Sequence, residues 1–243
     1  MKVDCVLKTS NAKSKSMKRQ GILKFLCIIL GVLGLLLVGC KSEEPMVVQE
    51  ADAEMIIVAV GDSLTAGYGV AEEASYPALL EEKLHEAGYT GSRVVNAGVS
   101  AETSSGTRSR MEWILSLEPD IIILETGAND GLRGIDPALV EQNIRAILDL
   151  LKEKQITVIL AGMKMVWNLG PVYVAQFNSI YPRLADDYNL IFFPFFLEDV
   201  AMQRQLNLAD GLHPNPEGYK LITENLFPYV EQAIKKRETL TGQ

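Results

Sequence analysis

Met55-Ile56-Ile57-Val58-Ala59-Val60-Gly61-Asp62-Ser63 reads as a β-strand that runs into a tight turn. Its apolar residues do not alternate with polar ones, which is the pattern of a strand covered on both faces of its sheet. Comparable short runs return at 93–96, 120–125, 157–161 and 190–194. Stretches with helical spacing lie between them, at 76–86, 107–117, 137–153 and 172–187. A last helix is predicted to start near Pro216, with the proline in its first turn. Within 137–153, Val140, Ile144, Ile147, Leu148 and Leu151 fall three and four residues apart and form one apolar stripe. Strand and helix in alternation predict an α/β protein with a five-stranded parallel sheet and helices on both sides. No internal repeat and no second domain is read.

In such a sheet, functional groups gather beyond the carboxyl ends of the strands. Gly61-Asp62-Ser63 follows the first run, Asn96-Ala97-Gly98 the second, and Gly127-Ala128-Asn129-Asp130 the third. A serine hydroxyl is a weak nucleophile until a base takes its proton, and that base needs a third group to hold its ring. The chain has 2 histidines. His85 lies on a predicted amphipathic helix beside Glu82 and Glu86 and reads as a surface residue. His213 lies in the turn-rich segment Asp210-Gly211-Leu212-His213-Pro214-Asn215-Pro216, close to a carboxylate. Ser63, His213 and Asp210 are therefore the candidate nucleophile, base and orienting acid. The plainer alternatives are a helix cap at Asp62 or Ser63, and turn residues at His213 and Asn129. The Gly-x-Ser-x-Gly elbow is not met, because Thr65 stands where its second glycine falls. No His/Cys cluster has ligand spacing, so neither a metal nor a cofactor is expected.

Four blocks now stand in order. They are Gly61-Asp62-Ser63-Leu64-Thr65-Ala66-Gly67-Tyr68-Gly69, Asn96-Ala97-Gly98-Val99-Ser100-Ala101-Glu102-Thr103, Glu125-Thr126-Gly127-Ala128-Asn129-Asp130-Gly131-Leu132-Arg133-Gly134 and Asp210-Gly211-Leu212-His213-Pro214-Asn215. Together they resemble the SGNH (GDSL) hydrolase superfamily, and within it the bacterial lysophospholipase L1/thioesterase I/arylesterase group. The resemblance spans about residues 55–230. It implies a three-layer α/β/α sandwich of flavodoxin-like form. It implies Ser63 as nucleophile, His213 as general base and then general acid, and Asp210 as the residue that holds His213. It also implies an oxyanion hole built from the Ser63 N–H, the Asn129 side-chain amide and a backbone N–H of the second block. That last donor maps to Ala101, where the family usually has glycine. A backbone donor needs glycine only if the loop requires positive φ, so the donor is expected to be retained; a left-handed loop would instead strain Ala101. Residues 163–173 follow the fourth strand and hold Met165, Trp167, Leu169 and Tyr173. They read either as packing or, as the resemblance implies, as a substrate-binding loop for an acyl chain.

Charge is unevenly placed. Residues 1–39 hold seven of the 23 basic residues and one of the 31 acidic ones, which leaves 16 against 30 and a formal charge of −14 on the remainder. Such a body repels nucleic acid and anionic headgroups, and no basic stripe argues otherwise. The basic N-terminal stretch ends at Lys24, and residues 25–39 carry no charge. That run is short for a membrane span, which needs about 20 apolar residues, and suits an export signal. It closes in Leu37-Val38-Gly39-Cys40, which resembles a bacterial lipobox with Cys40 as the lipidated residue; the alternative is an uncleaved anchor helix. Met17 is an alternative start. The expected organisation is a signal over 1–39, a lipidated tether over 40–53 and a hydrolase domain over 54–243. The 3 cysteines are Cys5, Cys27 and Cys40, so the exported body has no thiol and no disulfide. Lys41 follows Cys40, where an aspartate would favour inner-membrane retention in a Gram-negative cell. An exported, lipid-anchored monomer in the cell envelope is expected, at the outer membrane facing the periplasm if the cell is Gram-negative.

These readings predict a serine esterase that acts on lysophospholipids, short-chain acyl esters or aryl esters through an acyl-enzyme. Acyl-coenzyme A is cytoplasmic and suits an exported enzyme poorly. The alternatives are an O-deacetylase of an envelope polysaccharide and a non-catalytic lipid-binding lipoprotein. Intact Ser63, Asp210 and His213 weigh against the last.

Overall fold

The computed structural model describes residues 55–165 and 169–241. The expected signal and tether, with Cys40, lie outside the described residues, as does Trp167. The strands are β1 (Met55–Gly61), β2 (Ser92–Gly98), β3 (Ile121–Glu125), β4 (Thr157–Ala161) and β5 (Ile191–Phe193). The helices are α1 (Ser63–Ala66), α2 (Tyr76–Glu86), α3 (Ser104–Ser109), α4 (Met111–Leu115), α5 (Ala128–Leu132), α6 (Pro137–Glu153), α7 (Pro171–Asn178), α8 (Ile180–Tyr188) and α9 (Pro216–Thr241).

All five strands are parallel, in the order β2-β1-β3-β4-β5. Ile121, Ile122, Ile123 and Leu124 of β3 are wholly buried, so residues on both faces of the strand are covered. Burying each such side chain stabilises the fold by roughly 1.5–3 kcal/mol. On one face α2 packs with α9; on the other, α6 packs with α3 and α8. The result is the three-layer α/β/α sandwich with a five-stranded parallel sheet.

Two predicted helices are each broken. The 107–117 stretch divides into α3 and α4 at Arg110, whose backbone leaves the helical region (φ −108°, ψ 11°). The 172–187 stretch divides into α7 and α8 at Ser179. β2 runs longer than its apolar run, because β1 pairs with it all the way from Met55↔Ser92 to Gly61↔Gly98. The sheet order reverses between β1 and β3: β2 lies to one side of β1 and the later strands to the other. The carboxyl ends of these central strands form the rim where such folds bind ligands.

Candidate active site

β1 delivers its last residues to that rim. A Cβ at Gly61 would collide with the Thr65 hydroxyl and with Glu125, so only glycine lets β1 turn this close to β3. Asp62 caps the short helix α1, its Oδ1 accepting from the Leu64 N–H at 3.0 Å. The cap foreseen for this position is therefore real, and it serves to present Ser63 at the first position of α1.

The opposite wall comes from the segment before α9. Leu208 N–H donates to the His213 carbonyl at 2.8 Å, Asn207 bridges to Pro214, and the Asn215 side chain accepts from the Gly218 N–H at 3.0 Å. These bonds fix a polar, turn-rich segment that has little core of its own. They set His213 Nε2 2.9 Å from Ser63 Oγ and His213 Nδ1 2.7 Å from Asp210 Oδ2. Asp210 Oδ1 accepts from the N–H groups of Leu212 (2.9 Å) and His213 (3.1 Å). Those two backbone bonds, then the His213 ring, hold the Asp210 carboxyl down at about 2. The Tyr68 ring lies 4.6 Å from the imidazole, centroid to centroid, and tilted against it. Serine, imidazole and carboxylate thus form one hydrogen-bonded chain, an arrangement able to take a proton from Ser63.

Asn129, in the first turn of α5, donates its side-chain N–H to Asp62 Oδ2 at 2.9 Å. That carboxylate fixes which way the amide points. The second block is tied down at several points. Arg110 grips Glu102 at 2.7–2.9 Å and reaches the Gly61 carbonyl at 3.3 Å. Ser104 binds both oxygens of buried Asp130, through its N–H at 2.7 Å and its hydroxyl at 2.6 Å. Arg133 donates to the Ala101 carbonyl at 2.7 Å. Ala101 itself is left-handed, at φ 64°. The loop therefore does adopt the geometry that glycine prefers, and alanine meets it under strain.

That strain gives a prediction. A left-handed residue with a Cβ costs about 1–2 kcal/mol, and glycine gives back roughly 0.4–1 kcal/mol through its freer unfolded chain. Ala101→Gly is expected to hold or raise thermal stability and to leave ester turnover undiminished. Thermal melting and steady-state kinetics check this, and a clear fall in melting temperature would sink it.

The remaining site residues fall as follows. Met165 donates its N–H to Asn178 at 2.8 Å, and its side chain lies where a Cβ on Gly131 would stand. The Tyr173 hydroxyl donates to the Ile135 carbonyl at 2.7 Å, and its ring stacks on Phe177. Met165, Leu169 and Tyr173 are all half-buried. Both flanks of the loop are thus anchored by packing as well as placed near the third block. His85 bonds the Ser92 carbonyl at 2.7 Å, at the start of β2 and so at the end of the sheet away from Ser63. Sequence reasoning missed Arg110 and Arg133 as tethers of the second block, and it missed the pairing of Asp62 with Asn129. The one local signal was a row of polar residues directly after three of the strands. Among the described residues, no group of three or more His, Cys, Asp or Glu could hold a metal ion, and no helix is long and apolar enough to cross a membrane.

This fold, with a serine, an imidazole and a carboxylate aligned on its rim, has the form of a hydrolase. The GDSL-like Lipase/Acylhydrolase family matches over residues 59–221. Esterase TesA of Pseudomonas aeruginosa is 36% identical over 201 residues, covering 82% of this chain and 98% of its own. Thioesterase 1/protease 1/lysophospholipase L1 of Escherichia coli is 35% identical over 175 residues, covering 72% of this chain and 82% of its own. Among solved structures, the psychrotrophic esterase EstA from Pseudoalteromonas sp. superposes with a TM-score of 0.70 at 30% identity, over 74% of this chain and 98% of that one. The chain belongs to the GDSL (SGNH) hydrolase family and is an esterase of that type.

Proposed function

We propose that the protein hydrolyses carboxylic acyl esters, such as lysophospholipids, short-chain acyl esters and aryl esters, through a Ser63-His213-Asp210 triad. The chain of hydrogen bonds from Ser63 Oγ through the imidazole to Asp210, 2.9 and 2.7 Å long, carries this reading. Ser63 Oγ attacks the ester carbonyl as His213 Nε2 takes its proton. The tetrahedral oxyanion is met by the N–H groups of Ser63 and Ala101 and by the Asn129 amide. The C–O bond to the alcohol then breaks, and the proton held by His213 leaves with the alcohol. Water next gives its proton to His213, attacks the acyl-Ser63 carbonyl and releases the acid, returning the proton to Ser63. The names of the relatives agree with ester and lysophospholipid substrates. Turnover of a chromogenic short-chain ester, lost on Ser63→Ala, is the test.

The site works, on this proposal, outside the cytoplasm on a lipid tether at Cys40, and the motif Leu37-Val38-Gly39-Cys40 after an uncharged run supports that. Cys40→Ser is expected to abolish incorporation of labelled fatty acid into the protein, with its ester turnover unchanged. A variant that still took up the label would rule out lipidation at Cys40. The protein is proposed to act as a monomer.

A further inference from the structure

β3 is apolar until its last residue, Glu125, whose side chain is wholly buried. Its Oε2 accepts from the Asp62 N–H at 3.2 Å and from the Thr65 hydroxyl at 3.0 Å. Its Oε1 is buried and has no hydrogen-bond partner among the described residues. Asp62 is almost as deeply buried, and it makes the other contacts that matter here: the cap on α1 and the bond to the Asn129 amide. Two carboxyl groups thus sit side by side under the turn that carries Ser63.

We propose that Glu125 is a positioning residue that acts through Asp62, holding the turn that presents Ser63 and, by way of the Asp62 carboxylate, the Asn129 amide. This rests on Ser63 being the nucleophile. One charge and one proton between the two carboxyls is the arrangement the site favours. An ionised Glu125 would leave a bare buried oxygen beside a second anion, which is the costly case. Burial first, and then the charge of Asp62, hold the Glu125 carboxyl well above its usual range. Burial also raises Asp62, but the Leu64 N–H and the Asn129 amide oppose the rise. The negative charge therefore belongs on Asp62 and the proton on Glu125. Tyr76 of α2, Tyr181 of α8 and Tyr219 of α9 face the pair without supplying a counter-charge, because burial keeps each hydroxyl protonated. His213, when protonated, favours the charge on Asp62. Asp62 then stays the stronger acceptor for Asn129, and the remaining amide N–H is left for the oxyanion.

The full-length protein is compared with Glu125→Gln, Glu125→Met and Ser63→Ala. Glutamine keeps the carbonyl acceptor for Asp62 and Thr65 and donates where the carboxyl proton stood. Glu125→Gln is therefore expected to keep kcat within about threefold, while the infrared band of a protonated carboxylic acid at pH 7 disappears. Methionine fills the same space without a hydrogen bond. Glu125→Met is expected to lose about 10²-fold in kcat, the scale of one misplaced oxyanion donor, with KM changed less than about threefold. Wild-type kcat in Glu125→Met, alongside an inactive Ser63→Ala, overturns the role of Glu125 alone. A fully active Ser63→Ala overturns the reading of the site and this role with it. Should Glu125→Met not fold, Glu125→Gln decides: a folded variant below a tenth of wild-type kcat, or one whose acid band is unchanged, overturns the role.

Discussion

Ser63→Ala is expected to cut kcat for a chromogenic ester by about 10⁶-fold, the scale seen when a triad serine is removed elsewhere. That is about 8 kcal/mol of barrier at about 1.36 kcal/mol per tenfold. The loss is large because the acyl-enzyme route closes altogether and His213 has no hydroxyl left to activate. It is not total, because the Ser63 N–H and the Asn129 amide survive the change and can still polarise a bound carbonyl. KM should move little. The fold should hold, since the Ser63 hydroxyl has its hydrogen bond with His213 rather than with the core. A reactive phosphonate ester gives an independent check: one equivalent should add to the wild-type protein at Ser63 and none to the variant. Turnover within tenfold of wild type, or continued labelling, would remove Ser63 from the mechanism.

Large effects from single atoms presuppose a rigid site, and here the rigidity comes from polar cross-ties between blocks distant in sequence. Asp62 joins the first block to the third through Asn129. Asp130 joins the third to Ser104, the residue directly after the second. Arg110 joins the second to the first by holding Glu102 and the Gly61 carbonyl together. The Arg110–Glu102 pair is largely buried, with side-chain exposures of 15% and 8%. Removing one partner of such a pair costs far more than the pair itself contributes, because the other charge is left behind in a dry place. The three blocks thus form a closed ring under Ser63, and a disturbance at any tie is felt at the others.

Parts of this were legible in the chain because their cause is local. The stripe from Val140 to Leu151 and Pro137 at its start define α6, and the structure gives Pro137–Glu153. The run at 157–161 coincides with β4. Ser63 and the pair Asp210 and His213 announced themselves by residue type in short motifs. The breaks at Arg110 and Ser179 did not, because helical spacing continues through both. At Arg110 the backbone turns so that the side chain can meet Glu102 and Gly61, contacts that exist only once β1 and β2 are paired. Glu125 closes the predicted run at 120–125 and opens the third block, and the sequence alone assigns it no role. Only the tertiary fold reveals that its carboxyl points into the space beneath Ser63, although a glutamate closing an otherwise apolar strand is a signal in itself. The left-handed geometry of Ala101 was open in the sequence, since alanine does not mark such a turn as glycine would.

Asp210→Asn is expected to lower kcat by about 10⁴-fold, and the structure supplies the reason. In the wild type Oδ1 is fixed by two backbone N–H groups, from Leu212 and His213, and Oδ2 takes the His213 Nδ1 proton. An asparagine here must keep its carbonyl oxygen on the two N–H donors, so its NH₂ group faces Nδ1. The ring then accepts at Nδ1 and carries its proton on Nε2, the atom that faces Ser63 Oγ. A base that already bears a proton cannot take another, and a wrong tautomer of this kind accounts for losses of that size in other triads. Asp210→Ala imposes no tautomer and should be the less damaged of the two. Its imidazole loses its orienting partner but keeps the freedom to accept at Nε2. The sign of the pH dependence also follows. The Asp210 carboxyl is depressed from 3.8 to about 2, so its bond to His213 is intact above that range and fails only as the pH falls through about 2. Any fall in wild-type turnover between pH 7 and about 3 must therefore come from a group other than Asp210. Nitrogen-15 shifts of the imidazole should report the exchanged tautomer in Asp210→Asn at neutral pH. Turnover of that variant within tenfold of wild type, with the original tautomer still in place, would show that Asp210 does not orient the base.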